Sequence, residues 1–411
     1  MSYNKEEKLQ KYAELLVKVG MNVQKDQRVF IRATVDAKDF VHLIVEEAYK
    51  AGSSDVKVSY GDDRLAQLNF QYRDQSAFEK VPQYLIDERM DYARDYAAQL
   101  ALISSSPENL KDADPAKVAA NMKAYGAGFK EYMKMMQSDQ FSWTVAAYPS
   151  PAWAQLVFPE LEEAEAFDKL LDAILESVRM NEADPVQAWV EHNDNLHAKA
   201  DYLNQKAYVA LHYTAPGTDL KVGLPKGHIW SGASSINKDG TSFMANMPTE
   251  EVFTVPHKDE VNGTVSSILP LSYGGNIIDE FTLTFKDGVV VDFDAKVGKD
   301  ILEGLLNSDE NAKRLGEVAL VPHDSPISNS KILYYNTLFD ENASCHLALG
   351  SAYPFCIEGG KEMNDEELAA HGLNNSITHE DFMIGSAEMN ISGITADGQE
   401  EAIFVNGNWA F

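Results

Sequence analysis

The first half of the chain alternates between helical patterns and short apolar runs. Apolar residues between Leu9 and Val19 recur at helical spacing, and further helices are predicted over residues 37–50 and from Val118 to Met136. Buried strands are predicted at residues 28–33, 55–60, 99–104 and 143–147. This β-α-β alternation indicates a mostly parallel sheet covered by helices on both faces.

The pattern changes between residues 180 and 205, where helical spacing gives way to short alternating strands. Strands at 281–285 and 289–293 flank the turn Lys286-Asp287-Gly288, which indicates a β-hairpin, and one helix is predicted from Lys299 to Leu306. We therefore predict an α/β fold with two domains. Residues 1–204 would form a mostly parallel α/β domain, and residues 205–411 a β-rich α+β domain.

Charge narrows the choice of partners. The 411-residue chain carries a formal net charge of -29. Binding to nucleic acid or to an anionic membrane requires clustered lysines and arginines, so neither partner is expected. Between Asp340 and Phe411 the only Lys or Arg is Lys361. A solvated acidic face explains such an excess, and the alternative is that some carboxylates point inward toward cations.

Cysteine content and hydropathy indicate the compartment. Cys345 and Cys356 are the only cysteines, and they do not form a Cys-x-x-Cys motif. They indicate a reducing environment rather than a disulfide framework. No apolar signal core and no stretch near the ~20 apolar residues of a membrane span is present, so a cytoplasmic protein is expected.

Several well-known catalytic motifs are absent. No Gly-x-Gly-x-x-Gly follows the predicted strands, which argues against a dinucleotide site. A His-Glu-x-x-His helix is excluded because the fifth residue of the segment that begins at His379 is Met383. The chain also lacks the Gly-x-Ser-x-Gly turn of serine hydrolases and the phosphate-binding loop of nucleotide hydrolases.

What remains is a set of carboxylates and histidines on predicted strands and tight loops of the second domain. They are Glu251, Glu317, Glu341, His346, His379 and Asp381. Each alone is commonly a solvated or structural residue. Together, four carboxylates and two imidazoles could hold two divalent ions about 3.5–4 Å apart with a bridging water. Glu250 and Glu251 precede a strand and point to opposite faces, so either could face the interior.

The residues around these positions resemble the thermophilic metallo-aminopeptidases, the group that contains aminopeptidase T, aminopeptidase S and the streptococcal PepS. The resemblance extends over essentially the whole chain and keeps the order and spacing of the motifs. It is carried by residues 246–254, Gly316-Glu317, residues 336–350, residues 375–385 and Asn406-Gly407-Asn408-Trp409.

The resemblance implies an N-terminal α/β domain, a C-terminal catalytic domain that binds two divalent ions, and a homodimer. Zinc, cobalt and manganese would all suit the ligands. The implied metal ligands are the six residues named above, with Glu317 as the bridge. Tyr353 would stabilise the oxyanion. Glu250 would serve as general base if it reaches the site, and otherwise a carboxylate ligand would share that role. Substrates would be peptides with a free N-terminus.

Two other functions stay open from the residues alone. The same ions could hydrolyse a non-peptide amide, ester or phosphorylated small molecule. The carboxylates could instead belong to the surface of a binding protein without catalytic activity. Requirement for a free amine distinguishes the first alternative from an aminopeptidase, and bound metal distinguishes the second.

Overall fold

A computed structural model describes residues 4–411 of the chain. Its helices, numbered in chain order, are α1 (Lys5–Leu15), α2 (Lys38–Lys50), α3 (Asp63–Tyr72), α4 (Gln83–Arg94), α5 (Pro115–Gly128), α6 (Lys130–Gln137), α7 (Pro151–Val157), α8 (Glu163–Ser177), α9 (Pro185–Lys206), α10 (Lys299–Leu306), α11 (Pro326–Ser330), α12 (Thr337–Asp340) and α13 (Asp365–Ala370).

The strands are numbered in the same way. They are β1 (Arg28–Thr34), β2 (Asp55–Gly61), β3 (Ala98–Ile103), β4 (Trp143–Ala147), β5 (Ala210–Ala215), β6 (Thr218–Gly223), β7 (Ser231–Gly232), β8 (Ser234–Ile236), β9 (Ser242–Met244), β10 (Val252–Thr254), β11 (Val261–Ser266), β12 (Leu271–Tyr273), β13 (Asn276–Lys286), β14 (Val289–Val297), β15 (Leu315–Leu320), β16 (His346–Gly350), β17 (His379–Met383), β18 (Asn390–Ile394), β19 (Glu400–Val405) and β20 (Asn408–Trp409).

The chain forms two compact units. The first contains residues 1–193 and 233–249, and the second contains residues 194–232 and 250–411. The predicted domain boundary between residues 204 and 205 stays a prediction. Among residues 4–411, no helix is both long and apolar enough to cross a bilayer.

The first unit is built on a parallel sheet in the order β2-β1-β3-β4. All four predicted strands are present in it. Most residues of β1 and β3 are buried, as expected of central strands covered on both faces. Helix starts follow local chemistry: Asn4 and Glu7 form a reciprocal capping box at α1, and Asp114 accepts a hydrogen bond from the amide of Ala116 at α5.

One helix prediction in this unit is wrong. Residues 118–136 do not form a single helix, because α5 ends at Gly128 and α6 begins at Lys130. Between them, Phe129 leaves helical geometry and packs in a core cluster with Met90 and Tyr132. A Cβ on Gly128 would lie 3.2 Å from the Ile86 side chain, so α5 approaches α4 closely at this point.

The second unit contains two larger antiparallel sheets. One has the order β17-β16-β15-β10-β7, and the other has the order β12-β13-β11-β6-β5-β18-β19-β20, with β14 added on β13. The predicted hairpin is confirmed, since Lys286 pairs with Val289 across the turn between β13 and β14. The predicted helix over residues 299–306 is α10. The α/β fold class is confirmed in both its parallel and its strand-rich parts.

Candidate metal centre

The candidate ligands lie on one face of the five-stranded sheet. Glu317 on β15 pairs with Ala348 on β16, and Ala348 pairs with Asp381 on β17. Because paired residues on neighbouring strands point to the same face, the two carboxylates stand on either side of a small alanine. His346 and His379 lie two residues from Ala348 and Asp381 along their strands, so they share this face.

A bulge in β15 sets the register of this row. Leu315 pairs with Leu349 and Glu317 with Ala348, so the pairing shifts at Gly316. A Cβ on Gly316 would lie 2.2 Å from the carbonyl oxygen of Ser351, which is too close for any non-bonded contact. Only glycine therefore fits immediately before Glu317.

The first group of possible ligands contains Glu251, Glu317 and His346, all buried. The Nε2 atom of His346 lies 3.0 Å from Oε2 of Glu251 and 4.0 Å from Oε1 of Glu317. Their ligand atoms all lie within 4.8 Å of one another. Three donors at such separations could surround one divalent ion.

The second group contains Glu317, His379 and Asp381. The Nε2 atom of His379 lies 3.2 Å from Oε2 of Glu317 and 3.7 Å from Oδ1 of Asp381. The Oδ1 atom of Asp381 is buried and has no hydrogen-bond donor among the described residues. Glu317 belongs to both groups, and it presents a different oxygen to each histidine.

Both imidazoles are oriented by backbone carbonyls. The Nδ1 atom of His346 is 3.0 Å from the carbonyl oxygens of Glu341 and Ser344, and the Nδ1 atom of His379 is 2.7 Å from that of Ser351. Since a carbonyl only accepts, each Nδ1 must carry the proton and donate it. Nε2 of each ring then faces the carboxylates, and loss of its proton would leave a lone pair directed at a metal, as in metal-binding histidines.

Glu341 lies beside the two groups, at the start of a short 3₁₀ turn after α12. It is buried, and the charges of Asp381 and Glu251 act on its carboxylate. The neighbouring Asn342, which is 0% exposed, connects this turn with the Glu250-Glu251 segment. Its Oδ1 accepts a hydrogen bond of 2.7 Å from the amide of Glu250, and its Nδ2 donates to the carbonyl of Leu338 at 2.8 Å.

The two residues expected to assist catalysis are also in this region. Glu250 is buried, with 5% of its surface exposed, but it belongs to neither group of possible ligands. The ring of Tyr353 lies 4.8 Å from the ring of His379, centroid to centroid. Burial, with the charges of Glu317 and Asp381, raises the pKa of Tyr353 well above its ordinary value. Its hydroxyl therefore keeps its proton and can donate it.

The pKa values of several candidate ligands are shifted because these groups are buried and carboxylates lie close together. Burial raises the pKa of Glu317 to about 7, although the hydrogen bond with His379 opposes this rise. Burial and the charge of Asp381 raise the pKa of Glu341 as well. Burial alone would lower the pKa of His379, but the charge of Asp381 and the hydrogen bond with Glu317 raise it to about 10. The pKa of His346 rises for the same reasons, through Glu251. Such a site favours bound positive charge.

Comparison with known proteins identifies the family. The sequence profile of the thermophilic metalloprotease family M29 matches residues 5–409. The chain belongs to this family. The expected family of metallo-aminopeptidases and the expected enzyme class, a metal-dependent hydrolase of peptide bonds, are thereby confirmed.

Relatives within the M29 family match the chain over almost its full length. Aminopeptidase AmpS of Bacillus subtilis strain 168 is 55% identical over 98% of this chain and 99% of its own length. Aminopeptidase PepS of Streptococcus thermophilus is 47% identical over 99% and 98%. The solved structure of wild-type AmpT from Thermus thermophilus superposes on this chain with a TM-score of 0.93 at 39% sequence identity. The superposition covers 99% of this chain and 100% of the AmpT chain.

The donor set of this M29 chain fits a divalent metal. Buried carboxylates converge with two histidines whose Nδ1 protons are already committed to carbonyls, and Asp381 carries a buried oxygen without a donor. Sequence reasoning missed the residues that support the ligands, Asn342 and the carbonyl of Ser351. Asn342 lies inside the motif that contains Glu341 and His346, and this position is the sequence feature that could have indicated its supporting role.

Proposed function

We propose that this protein is a metal-dependent aminopeptidase that releases N-terminal amino acids from peptides with two divalent ions per subunit. The observation that carries the proposal is the sharing of Glu317. One of its oxygens lies near His346 and the other lies 3.2 Å from His379. A carboxylate that serves two sets of ligands is what a two-ion centre requires.

The residues divide into two sets around that shared carboxylate. Glu251, Glu341 and His346 would hold one ion, and His379 and Asp381 would hold the other, with Glu317 as the bridge. When bound, two such ions lower the pKa of a shared water and polarise the scissile carbonyl. Four carboxylates balance two charges of +2, so the loaded site would be close to neutral.

Tyr353 and Glu250 are proposed to assist the reaction. Because its pKa is raised, Tyr353 stays protonated and can donate a hydrogen bond to the oxygen that becomes negative in the tetrahedral intermediate. Glu250 is buried and precedes Glu251 in the chain, and it is proposed to accept the proton of the attacking water. Substrate selection is proposed to follow from acidic residues near the site other than the four ligand carboxylates, since acids that the ions leave unneutralised attract the free α-amino group of a peptide.

The resemblance and the relatives also support several finer proposals. The ion could be zinc, cobalt or manganese, because all three accept oxygen and imidazole ligands. A homodimer in the cytoplasm is proposed. Both cysteines, Cys345 and Cys356, are buried and form no disulfide with each other, as suits a reducing compartment. Sedimentation that gives the mass of one 45.6 kDa chain would contradict the dimer.

The test compares peptides with free and blocked N-termini. Purified protein loaded separately with zinc, cobalt or manganese is incubated with a dipeptide and with its N-acetylated form, and released amino acids and bound metal are measured. We expect release from the free dipeptide only, and two ions per chain. Equal cleavage of both peptides would contradict the aminopeptidase proposal. Hydrolysis of a simple amide or ester without any peptide cleavage would favour the non-peptide alternative.

A further inference from the structure

The parallel sheet of the first unit carries a cluster of polar groups on one face. Gln99 on β3 pairs with Trp143 on β4, so both side chains point to the same face. Arg32 on β1 pairs with Ala101, two residues beyond Gln99, and therefore shares that face. The hydroxyl of Tyr132 on α6 donates a 2.8 Å hydrogen bond to Oε1 of Gln99, so α6 covers this part of the sheet.

Arg89 on α4 enters the same cluster. Its guanidinium carbon lies 4.4 Å from the ring centre of Phe129 and 5.0 Å from that of Tyr132. Burial and, to a smaller extent, the positive charge of Arg32 lower the pKa of Arg89 to about 10. Two half-buried guanidinium groups therefore repel each other above the sheet.

Neither arginine has an acidic partner in the part of the chain that the structure describes. The acids on the helices nearby pair elsewhere. Glu88 contacts Lys57 at 2.9 Å, Asp91 contacts Arg28 at 3.1 Å, and Glu131 contacts Arg94 at 3.0 Å. This arrangement is unexpected in a chain with 64 acidic and 35 basic residues, where an arginine seldom lacks a nearby carboxylate.

Three neutral groups on the same face also have no partner within residues 4–411. They are Nε2 of Gln99, Nε1 of Trp143 and Oγ1 of Thr34, all buried atoms. Gln99 is only 4% exposed, and its other amide atom is occupied by Tyr132. Trp143 packs against the core cluster that contains Phe129 and Tyr132, the two rings that Arg89 also contacts. Buried donors without an acceptor are rare in proteins.

We propose that Arg32, Arg89, Gln99 and Trp143 form a binding site for an oxyanion, the phosphate or carboxylate group of a small molecule. Guanidinium groups bind such planar or tetrahedral oxyanions with two parallel hydrogen bonds, and the amide and indole N–H groups add single donors. A bound anion would supply the negative charge that the two arginines lack. The site lies wholly within the first unit, and it does not depend on the function proposed for the metal centre.

The site is tested by calorimetric titration of the full-length, metal-loaded protein with two probes, inorganic phosphate and N-acetylglycine. Wild-type protein is expected to bind at least one probe saturably. Arg89→Met and Arg32→Met should each weaken that binding about tenfold or more, since each removes charge-assisted hydrogen bonds. Arg94→Met, on the same helix α4 but exposed and paired with Glu131, is the matched control and should bind as the wild type does. The tighter probe identifies the phosphate or the carboxylate as the recognised group.

A second variant keeps the test decisive if an arginine replacement does not fold. Gln99→Glu places a carboxylate among the arginines, so it should raise the thermal midpoint in anion-free buffer and abolish probe binding. Binding that is unaffected in Gln99→Glu or in both arginine variants would overturn the proposal. A titration signal that follows ionic strength without reaching saturation would also overturn the proposal, because it would reflect ordinary charge screening.

Discussion

The two units of this protein each gather like charges, but of opposite sign. In the second unit, carboxylates crowd on an antiparallel sheet, where burial and their mutual repulsion raise the pKa of Glu317 and of Glu341. In the first, Arg32 and Arg89 meet on a parallel sheet, and burial and repulsion lower the pKa of Arg89. A fold tolerates such repulsion where a partner of opposite charge can bind. The comparison therefore predicts cations in one unit and anions in the other.

The main difference lies in how each cluster is held. The carboxylates have imidazoles between them, and each imidazole donates to a backbone carbonyl. The arginines are held by aromatic rings, with Phe129 and Tyr132 against Arg89. Metal coordination needs fixed directions, which hydrogen bonds to the backbone provide. Binding of an oxyanion needs a flat guanidinium surface, which stacking on a ring provides.

The largest expected effect is the loss of the shared carboxylate. Glu317→Gln should lose at least one of two ions, and turnover should fall by more than about a thousandfold because the metal-based chemistry is removed. Metal content is measured by elemental analysis and turnover with a free dipeptide. Glu303→Gln, an exposed residue of α10, is the control. Full metal occupancy in Glu317→Gln would exclude the bridging role. Arg89→Met, a change in the first unit, should leave the metal content unchanged.

The next effect separates catalysis from metal binding in the second unit. Tyr353→Phe should keep both ions, because a phenol that stays protonated is not expected to be a ligand. Loss of one donor to the developing oxyanion should lower kcat by about 10²–10³-fold, with a smaller effect on KM. Steady-state kinetics with a free dipeptide measure both constants. Unchanged kcat would eliminate the oxyanion role of Tyr353.

A smaller effect is expected from the amide that supports the ligands. Asn342→Ala removes the acceptor for the amide of Glu250 and the donor to Leu338. It should cost about 1–3 kcal/mol of unfolding free energy. It should also weaken metal binding by about 10–100-fold through the displaced Glu251. Asn329→Ala, at an exposed position on α11, serves as control in chemical denaturation and chelator competition. Metal affinity equal to that of the wild type would show that Asn342 does not position the ligands.

The smallest effect concerns pH and follows from the raised pKa values. In the metal-free protein at pH 8, His379, with a pKa of about 10, still carries its extra proton. A metal must displace that proton, so binding should release protons and tighten as pH rises. The gain should be about tenfold per pH unit for each proton displaced, up to about pH 10. Calorimetry in two buffers of different ionisation enthalpy measures the release, and its absence at pH 8 would contradict the raised pKa.

Much of the fold was predictable because local patterns determine it. The strands of the parallel sheet, the β13–β14 hairpin and α10 follow directly from periodicity and turn residues. The break at Phe129 was not predictable, since it depends on the close approach of α5 to α4 at Gly128. The return of residues 233–249 to the first unit is likewise a long-range property.

The candidate site shows the same limit. Spacing alone could place His379 and Asp381 on one face, and β17 confirms that they share it. Spacing could not decide between Glu250 and Glu251, and the structure brings Glu251 within 3.0 Å of His346. The role of Asn342 was not predictable from the sequence, because an amide is rarely a metal ligand and because its hydrogen bond with the Glu250 backbone is a tertiary contact. The proximity of Arg32 and Arg89 was not predictable for a similar reason, because it depends on how α4 packs on β1.

The bulge at Gly316 has a consequence for how this chain can evolve. The carbonyl of Ser351 that a Cβ at position 316 would strike is the same carbonyl that accepts the Nδ1 proton of His379. Even alanine there would push this oxygen away and release the imidazole from its fixed tautomer. A residue with no side chain is thus as intolerant of replacement as the proposed ligands, and inherited variation at Gly316 should be as rare as at His379.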